Sequence, residues 1–138
     1  MNTLYRPTIC VDFDGVIHSY SSGWKGITNI PDPPVEGAIE WLRQVLDCPD
    51  SICSMVPFSR VEVVIYSSRS RSWRGRRAMK SWFAKYWGRE YLEVLKFPKK
   101  KPAAFLTIDD RAICFDGHFP TVDEMLNFQP WYQNKSDK

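Results

Sequence analysis

TICVDFD at residues 8–14 carries a strand-like run straight into two aspartates one residue apart. A strand turns successive side chains to opposite faces, so Asp12 and Asp14 share a side if the backbone stays extended. Two carboxylates held close together resist joint ionisation. A bound cation, a shared proton or plain exposure at a strand end would each account for the pair.

Working outward, VEVVIY (61–66) and AFLTIDD (104–110) read as further buried strands, with YLEVLKF (91–97) and AICF (112–115) as secondary candidates. They are short and rich in Val, Ile and Phe. They are mostly apolar on both faces, as parallel strands covered by helices are. Helical patterns lie among them. PPVEGAIEWLRQVL (33–46) has Pro near its first turn and sets Val35, Ile39, Leu42 and Leu46 on one side. RGRRAMKSWFAKYWG (74–88) sets Met79, Trp82, Phe83 and Tyr86 on one face and ends at Gly88. TVDE (121–124) is a capping box that opens a last short helix, and the tail from about 130 to 138 is expected to be flexible.

This order predicts one α/β domain, a Rossmann-like parallel sheet with right-handed crossovers, flanked by helices. Ligands of such sheets sit beyond the carboxyl ends of the strands. Asp12, Asp14, Ser67, Ser68, Asp109 and Asp110 all fall at such ends, so distant parts of the chain meet on one rim.

The totals set the outer limits. A chain of 138 residues with 43% apolar content suits a single domain with a proper core. No apolar run is long enough to span a membrane. The start, MNTLYRPTIC, lacks the layout of a secretory signal, so a cytoplasmic location is expected. The four cysteines fit a reducing compartment, with Cys10 and Cys114 expected to be small buried residues. Cys48 and Cys53 lie in a loop-like stretch without two further zinc ligands at compatible spacing. The net charge is only +3, but residues 69–89 hold eight Lys or Arg and no acid. A basic surface of that kind points to an anionic partner, nucleic acid foremost, while its plainer reading is a solvated helix face.

Several carboxylates on one rim need compensation. A hard divalent cation supplies it, and oxygen-only ligands favour Mg²⁺ over zinc. Mg²⁺ commonly takes one or two carboxylates and completes its shell from water and phosphate, so a metal here implies a phosphorylated substrate. A carboxylate can also attack phosphorus directly, with a second carboxyl protonating the leaving oxygen. A hydroxyl such as Ser67 and a lysine such as Lys101 suit the negative charge of the transferring group.

The set DFDG (12–15), YSSR (66–69), KP (101–102) and IDDR (108–111), in this order, resembles the four motifs of the haloacid dehalogenase superfamily. The resemblance covers residues 8 to about 116 and implies a Mg²⁺-dependent phosphatase. It assigns Asp12 as the nucleophile and a metal ligand. Asp14 becomes the general acid/base, binding the metal through its backbone carbonyl. Ser67 and Lys101 become phosphate ligands, Asp109 an acidic metal ligand, and Asp110 an outer or alternate one. Ser68 competes with Ser67, and Lys99 and Lys100 with Lys101. Val16 stands where many members have Thr. The YSSR and IDDR pair is further similar to the 3′-phosphatase domain of phage polynucleotide kinases, which implies that Arg69 helps bind substrate phosphate. The GxxxxGK[ST] loop of a kinase half is absent.

Only about sixteen residues separate Ile17 from the expected helix at Pro34, and one helix and one strand fill the gap from Ser68 to Lys101. Neither gap holds a cap domain, so residues 17–33 are expected to form a short flap over an open rim. An open rim suits nucleic-acid ends or nucleotides. Trp24 in the flap either stacks on a base or shields the site. His18 lies near the site, but the resemblance gives it no role. Two other classes are disfavoured: Cys53 and Arg60 have six residues between them where a cysteine phosphatase needs five, and no glycine-rich dinucleotide fingerprint follows the first strand. The competing readings are a small-molecule phosphatase or nucleotidase, and a non-catalytic module that binds nucleic acid or protein.

Overall fold

The computed structural model describes residues 6–46 and 61–133. Four strands form one sheet: β1 (Thr8–Val11), β2 (Glu62–Ile65), β3 (Leu95–Lys96) and β4 (Leu106–Ile108). Their spatial order is β3-β2-β1-β4, and every pair is parallel. The helices are α1 (Ala38–Val45), α2 (Trp73–Tyr86) and α3 (Val122–Leu126), with 3-10 turns at Ser68–Arg71 and Arg89–Glu93. This is the expected α/β architecture, an all-parallel sheet flanked by helices. Cys48, Cys53 and residues 134–138 of the tail lie outside the described residues.

The core forms on one face of the sheet. Ile9 and Val11 alternate with Cys10, and they pair in register with Val63 and Ile65. These four residues join one buried cluster with Ala38, Leu42 and Leu46 of the α1 region and with Met79, Trp82 and Phe83 of α2. Phe13 seals its upper end, fully buried, with Trp82 edge-on at 5.0 Å and Phe83 at 5.7 Å. The stripe that periodicity assigned to residues 74–88 is therefore the buried face of α2.

Three elements differ from expectation. α1 starts at Ala38, because Gly37 takes a φ of 87°, a left-handed value that no helix accommodates. YLEVLKF gives only the two-residue β3, its first half closing into the 3-10 turn at 89–93. AICF (112–115) forms no strand. Asx turns bracket it, Asp109 accepting from the Arg111 N–H and Asp116 from the His118 N–H, both at 2.9 Å, and every residue between is exposed. Cys114 is accordingly exposed, not buried, whereas Cys10 is buried as expected. The capping box at Thr121–Glu124 forms as read, with both of its reciprocal bonds made. Among the described residues no helix is long and apolar enough to cross a membrane.

The strand order reverses at β1: β2 and β3 lie to one side, and β4, the last strand, lies to the other. That reversal opens a crevice beyond the carboxyl ends of β1 and β4.

Candidate functional site

Register brings the rim residues together. Val11 pairs with Ile65 on one side and with Ile108 on the other, so the next residues on the three strands are Asp12, Tyr66 and Asp109. The Asp12 N–H extends the ladder to the Ile108 carbonyl at 2.9 Å, and the Phe13 N–H donates to Asp12 Oδ1 at 2.8 Å. Carboxylate oxygens of Asp12, Asp109 and Asp110 lie within 4.8 Å of one another. Burial, a hydrogen bond shared with Asp110 and the charge of Asp109 push the Asp12 carboxyl up to about 9. Three carboxylate oxygens so placed could hold a cation. Three oxygen donors without nitrogen or sulfur fit a hard divalent ion such as Mg²⁺.

Beside this cluster lies a cavity of about 140 Å³ lined by Asp12, Asp109, Ser67, Ser68, Lys101, Cys10, Tyr66 and Thr107. Lys99 and Lys100 do not line it. Both serines do, in different states. Ser67 is buried, and its hydroxyl oxygen accepts the Arg69 N–H at 3.0 Å while the hydroxyl faces Met79 Sδ at 3.6 Å. Ser68 is exposed and opens the 3-10 turn. Burial raises the Cys10 thiol despite the opposing charge of Lys101.

Asp14 is not part of the three-carboxylate cluster. The chain turns after Asp12: the N–H groups of Val16, Ile17 and His18 all bond to the Phe13 carbonyl, and His18 returns to bridge Asp14. Gly15 makes the turn with a φ of 84°, and a Cβ there would collide with the Asp110 carboxylate. The two aspartates therefore diverge. Asp14 Oδ2 accepts from Arg69 Nε at 3.0 Å, and Oδ1 accepts from Arg69 Nη2 at 3.1 Å and from His18 Nδ1 at 2.8 Å. His18 Nε2 accepts the Asp32 N–H at 3.1 Å, which leaves Nδ1 as the protonated nitrogen.

Arg69 is fully buried, and its remaining donors hold the flap. Nη1 donates to the carbonyls of Gly26 at 2.8 Å and Ile27 at 2.9 Å, and Trp24 stacks over the guanidinium at 4.6 Å. Residues 19–33 contain no helix or strand. The flap is pinned instead at Asp32, whose carboxylate accepts from the Ser22 N–H at 2.8 Å and whose carbonyl accepts from Trp82 Nε1 at 2.9 Å. Arg69, expected at a substrate phosphate, thus has its donors occupied by Asp14 and the flap.

Three residues at the site were given no role from the sequence. His18 is one, and its place four residues after Asp14 across a glycine turn was the available signal. The others come from the tail. Pro130 is buried, Trp131 Nε1 donates to the Gly15 carbonyl at 2.8 Å, and the Tyr132 hydroxyl donates to Asp110 Oδ2 at 3.0 Å. Expected flexibility from about residue 130 is replaced, at 130–132, by contact with the rim. The aromatic pair after a proline was the only hint.

No protein-family model matches the chain, and no curated protein matches it. Geometry alone therefore defines its class: an α/β protein with a three-carboxylate rim at the reversal point of a parallel sheet.

Proposed function

We propose that this protein is a Mg²⁺-dependent phosphomonoester hydrolase of the haloacid dehalogenase type, acting on terminal phosphates of nucleic acids or nucleotides. The observation that carries the reading is the junction at Asp12. A crowded oxygen-donor cluster on one side meets a cavity lined by Ser67, Ser68 and Lys101 on the other. Cation ligands and anion ligands side by side are what a metal-bound phosphate requires.

In this mechanism Asp12 attacks phosphorus, forming an acyl-phosphate bond as the ester P–O bond breaks. Asp14, released from Arg69 and carrying a proton taken up from solvent, gives that proton to the leaving oxygen. Asp14 then takes a proton from water as that water attacks phosphorus, and Asp12 is released with inorganic phosphate. The Ser67 or Ser68 hydroxyl and Lys101 bind the phosphoryl oxygens. When bound, the cation offsets the negative charge gathered at Asp12, Asp109 and Asp110. Asp14 has to leave Arg69 and His18 to reach the leaving group, so the flap they anchor moves with each turnover.

That same clamp favours a second reading, a non-catalytic binding module on this fold, in which Asp14 stays locked. Hydrolysis of a chromogenic aryl phosphate, with Mg²⁺ and with chelator, separates the two. Mg²⁺-dependent turnover that vanishes in Asp12→Asn supports the hydrolase. No turnover of that substrate or of a panel of phosphorylated nucleotides and oligonucleotides supports the module.

A further inference from the structure

The outer side of α2 carries a feature that the hydrolase chemistry does not use. An open groove of about 580 Å³ lies there, lined by Arg77, Lys80, Lys85, Arg89 and Ser81, with Ala84 and Leu92 its only apolar residues. No carboxylate lines it, and among the described residues none of its four cations makes an ion pair. Solvated helix faces ordinarily intersperse both signs. Two of the ammonium groups lie over rings instead: Lys80 Nζ is 5.6 Å from the Phe97 centroid and Lys85 Nζ 5.1 Å from that of Tyr86.

We propose that this groove binds the phosphate backbone of a nucleic-acid strand. Positions 77, 81 and 85 follow one another every four residues, a single stripe on the helix. From Arg77 to Lys85 the axis advances about 12 Å at roughly 1.5 Å per residue. A B-form strand carries one charge per roughly 3.4 Å of axis, so the stripe spans about three or four phosphates. The direction also fits. α2 starts at Trp73, just after the 3-10 turn that opens at Ser68, a residue lining the Asp12 cavity, and β3 is parallel to β2, so α2 must run back from the rim. A strand along the groove therefore leads toward the rim. An anionic bilayer is a poorer occupant, since none of the large exposed hydrophobic side chains lines the groove for insertion. Delivery of a strand end to Asp12 rests on the hydrolase reading; binding in the groove does not.

Fluorescence anisotropy tests it on Asp12→Asn in chelator, where no turnover occurs, with labelled single-stranded DNA lacking a terminal phosphate. Affinity should climb from a dinucleotide to about four or five nucleotides and then flatten, and the log–log salt slope should be about −2 to −3. Arg77→Glu with Lys85→Glu should weaken binding about tenfold or more; the milder Arg77→Gln with Lys85→Gln should reduce it in the same direction. Neither pair should change aryl phosphate hydrolysis by the parent chain. Unchanged affinity and slope in both pairs, or equal affinity for polyglutamate of matched charge, would overturn the proposal. If the strand binds as described but no phosphate ester is hydrolysed, the groove stands and the hydrolase reading falls.

Discussion

Asp12 and Asp14 stand two residues apart and live in opposite electrostatic worlds. Asp12 faces two other carboxylates and is pushed toward its protonated form. Asp14 faces a buried guanidinium and a donating imidazole, three hydrogen bonds to one carboxylate. The difference comes from one turn. Gly15 redirects the chain after the strand, leaving the first aspartate on the rim and carrying the second beneath the flap. The same side chain becomes a ligand in want of a cation at one position and a clamped anion at the other.

The sharpest break in this comparison is to neutralise each aspartate in turn. Asp12→Asn should lower turnover by about 10⁴-fold or more, the scale on which removal of a nucleophile acts. Without metal it should leave the fold intact or raise Tm, because it relieves the crowding that forces this carboxyl to hold a proton. Asp14→Asn should lower turnover by roughly 10²–10⁴-fold and lower Tm, because it unbalances Arg69. If both variants shift Tm in the same direction in chelator, the two environments are not opposite.

Arg69→Ala removes the cation from the second environment. It breaks a buried pair, leaves Asp14 with His18 as its remaining charge-assisted donor and takes the guanidinium from the Gly26 and Ile27 carbonyls, at a cost of about 3–5 kcal/mol. Chemical denaturation reads this directly. Lys101→Ala, on the exposed lip of the cavity, should cost no more than about 0.5 kcal/mol while still reducing turnover. Equal costs for the two would place Arg69 with the surface cations.

The contrast between these cations shows what the sequence could and could not convey. The strands β1, β2 and β4, their parallel pairing and the meeting of Asp12 with Asp109 were legible from short apolar runs ending in polar residues, whereas AICF, equally apolar, forms no strand. The buried stripe of α2 was legible from the helical spacing of its apolar residues. The separation of Asp12 from Asp14 was not, since it depends on how one glycine turn closes against Asp110. Arg69 reads from the sequence as the first member of a basic run and, by resemblance, as a phosphate ligand; only the fold shows it buried against Asp14 and the flap while Arg77 and Lys85 stay outside. The role of Trp131 and Tyr132 was hidden by distance, more than a hundred residues from Gly15.

A smaller effect should appear in the pH dependence of the metal-free protein. The Asp12 carboxyl rises from 3.8 to about 9 on folding. Between those values the folded state holds a proton that the unfolded chain has released, so stability should fall as pH rises through that window. Mg²⁺ competes with that proton, and the increase in Tm it brings should be larger at about pH 8.5 than at about pH 5.5. Asp12→Asn should flatten the profile in chelator. A metal-free Tm that rises steadily across the same window would contradict the carboxylate crowding at Asp12.

A local effect is expected at the tail, where Tyr132 joins the carboxylate side of the comparison. Its hydroxyl donates to Asp110 Oδ2 at 3.0 Å, and burial followed by the Asp110 charge raises its own ionisation above the usual tyrosine value. The phenol therefore remains a donor at neutral pH and steadies one oxygen of the trio. Tyr132→Phe keeps the ring and its edge-on contacts with Tyr20 and Trp131 but removes that donor. The loss should be about 1 kcal/mol, the ordinary net worth of such a bond. Asp110 is then left with one fewer partner, so Mg²⁺ should restore more stability to the variant than to the parent. Titration calorimetry and thermal melts with and without Mg²⁺ measure both quantities. An identical Mg²⁺ increment in the two proteins would mean that Tyr132 holds the tail in place without steadying the carboxylates.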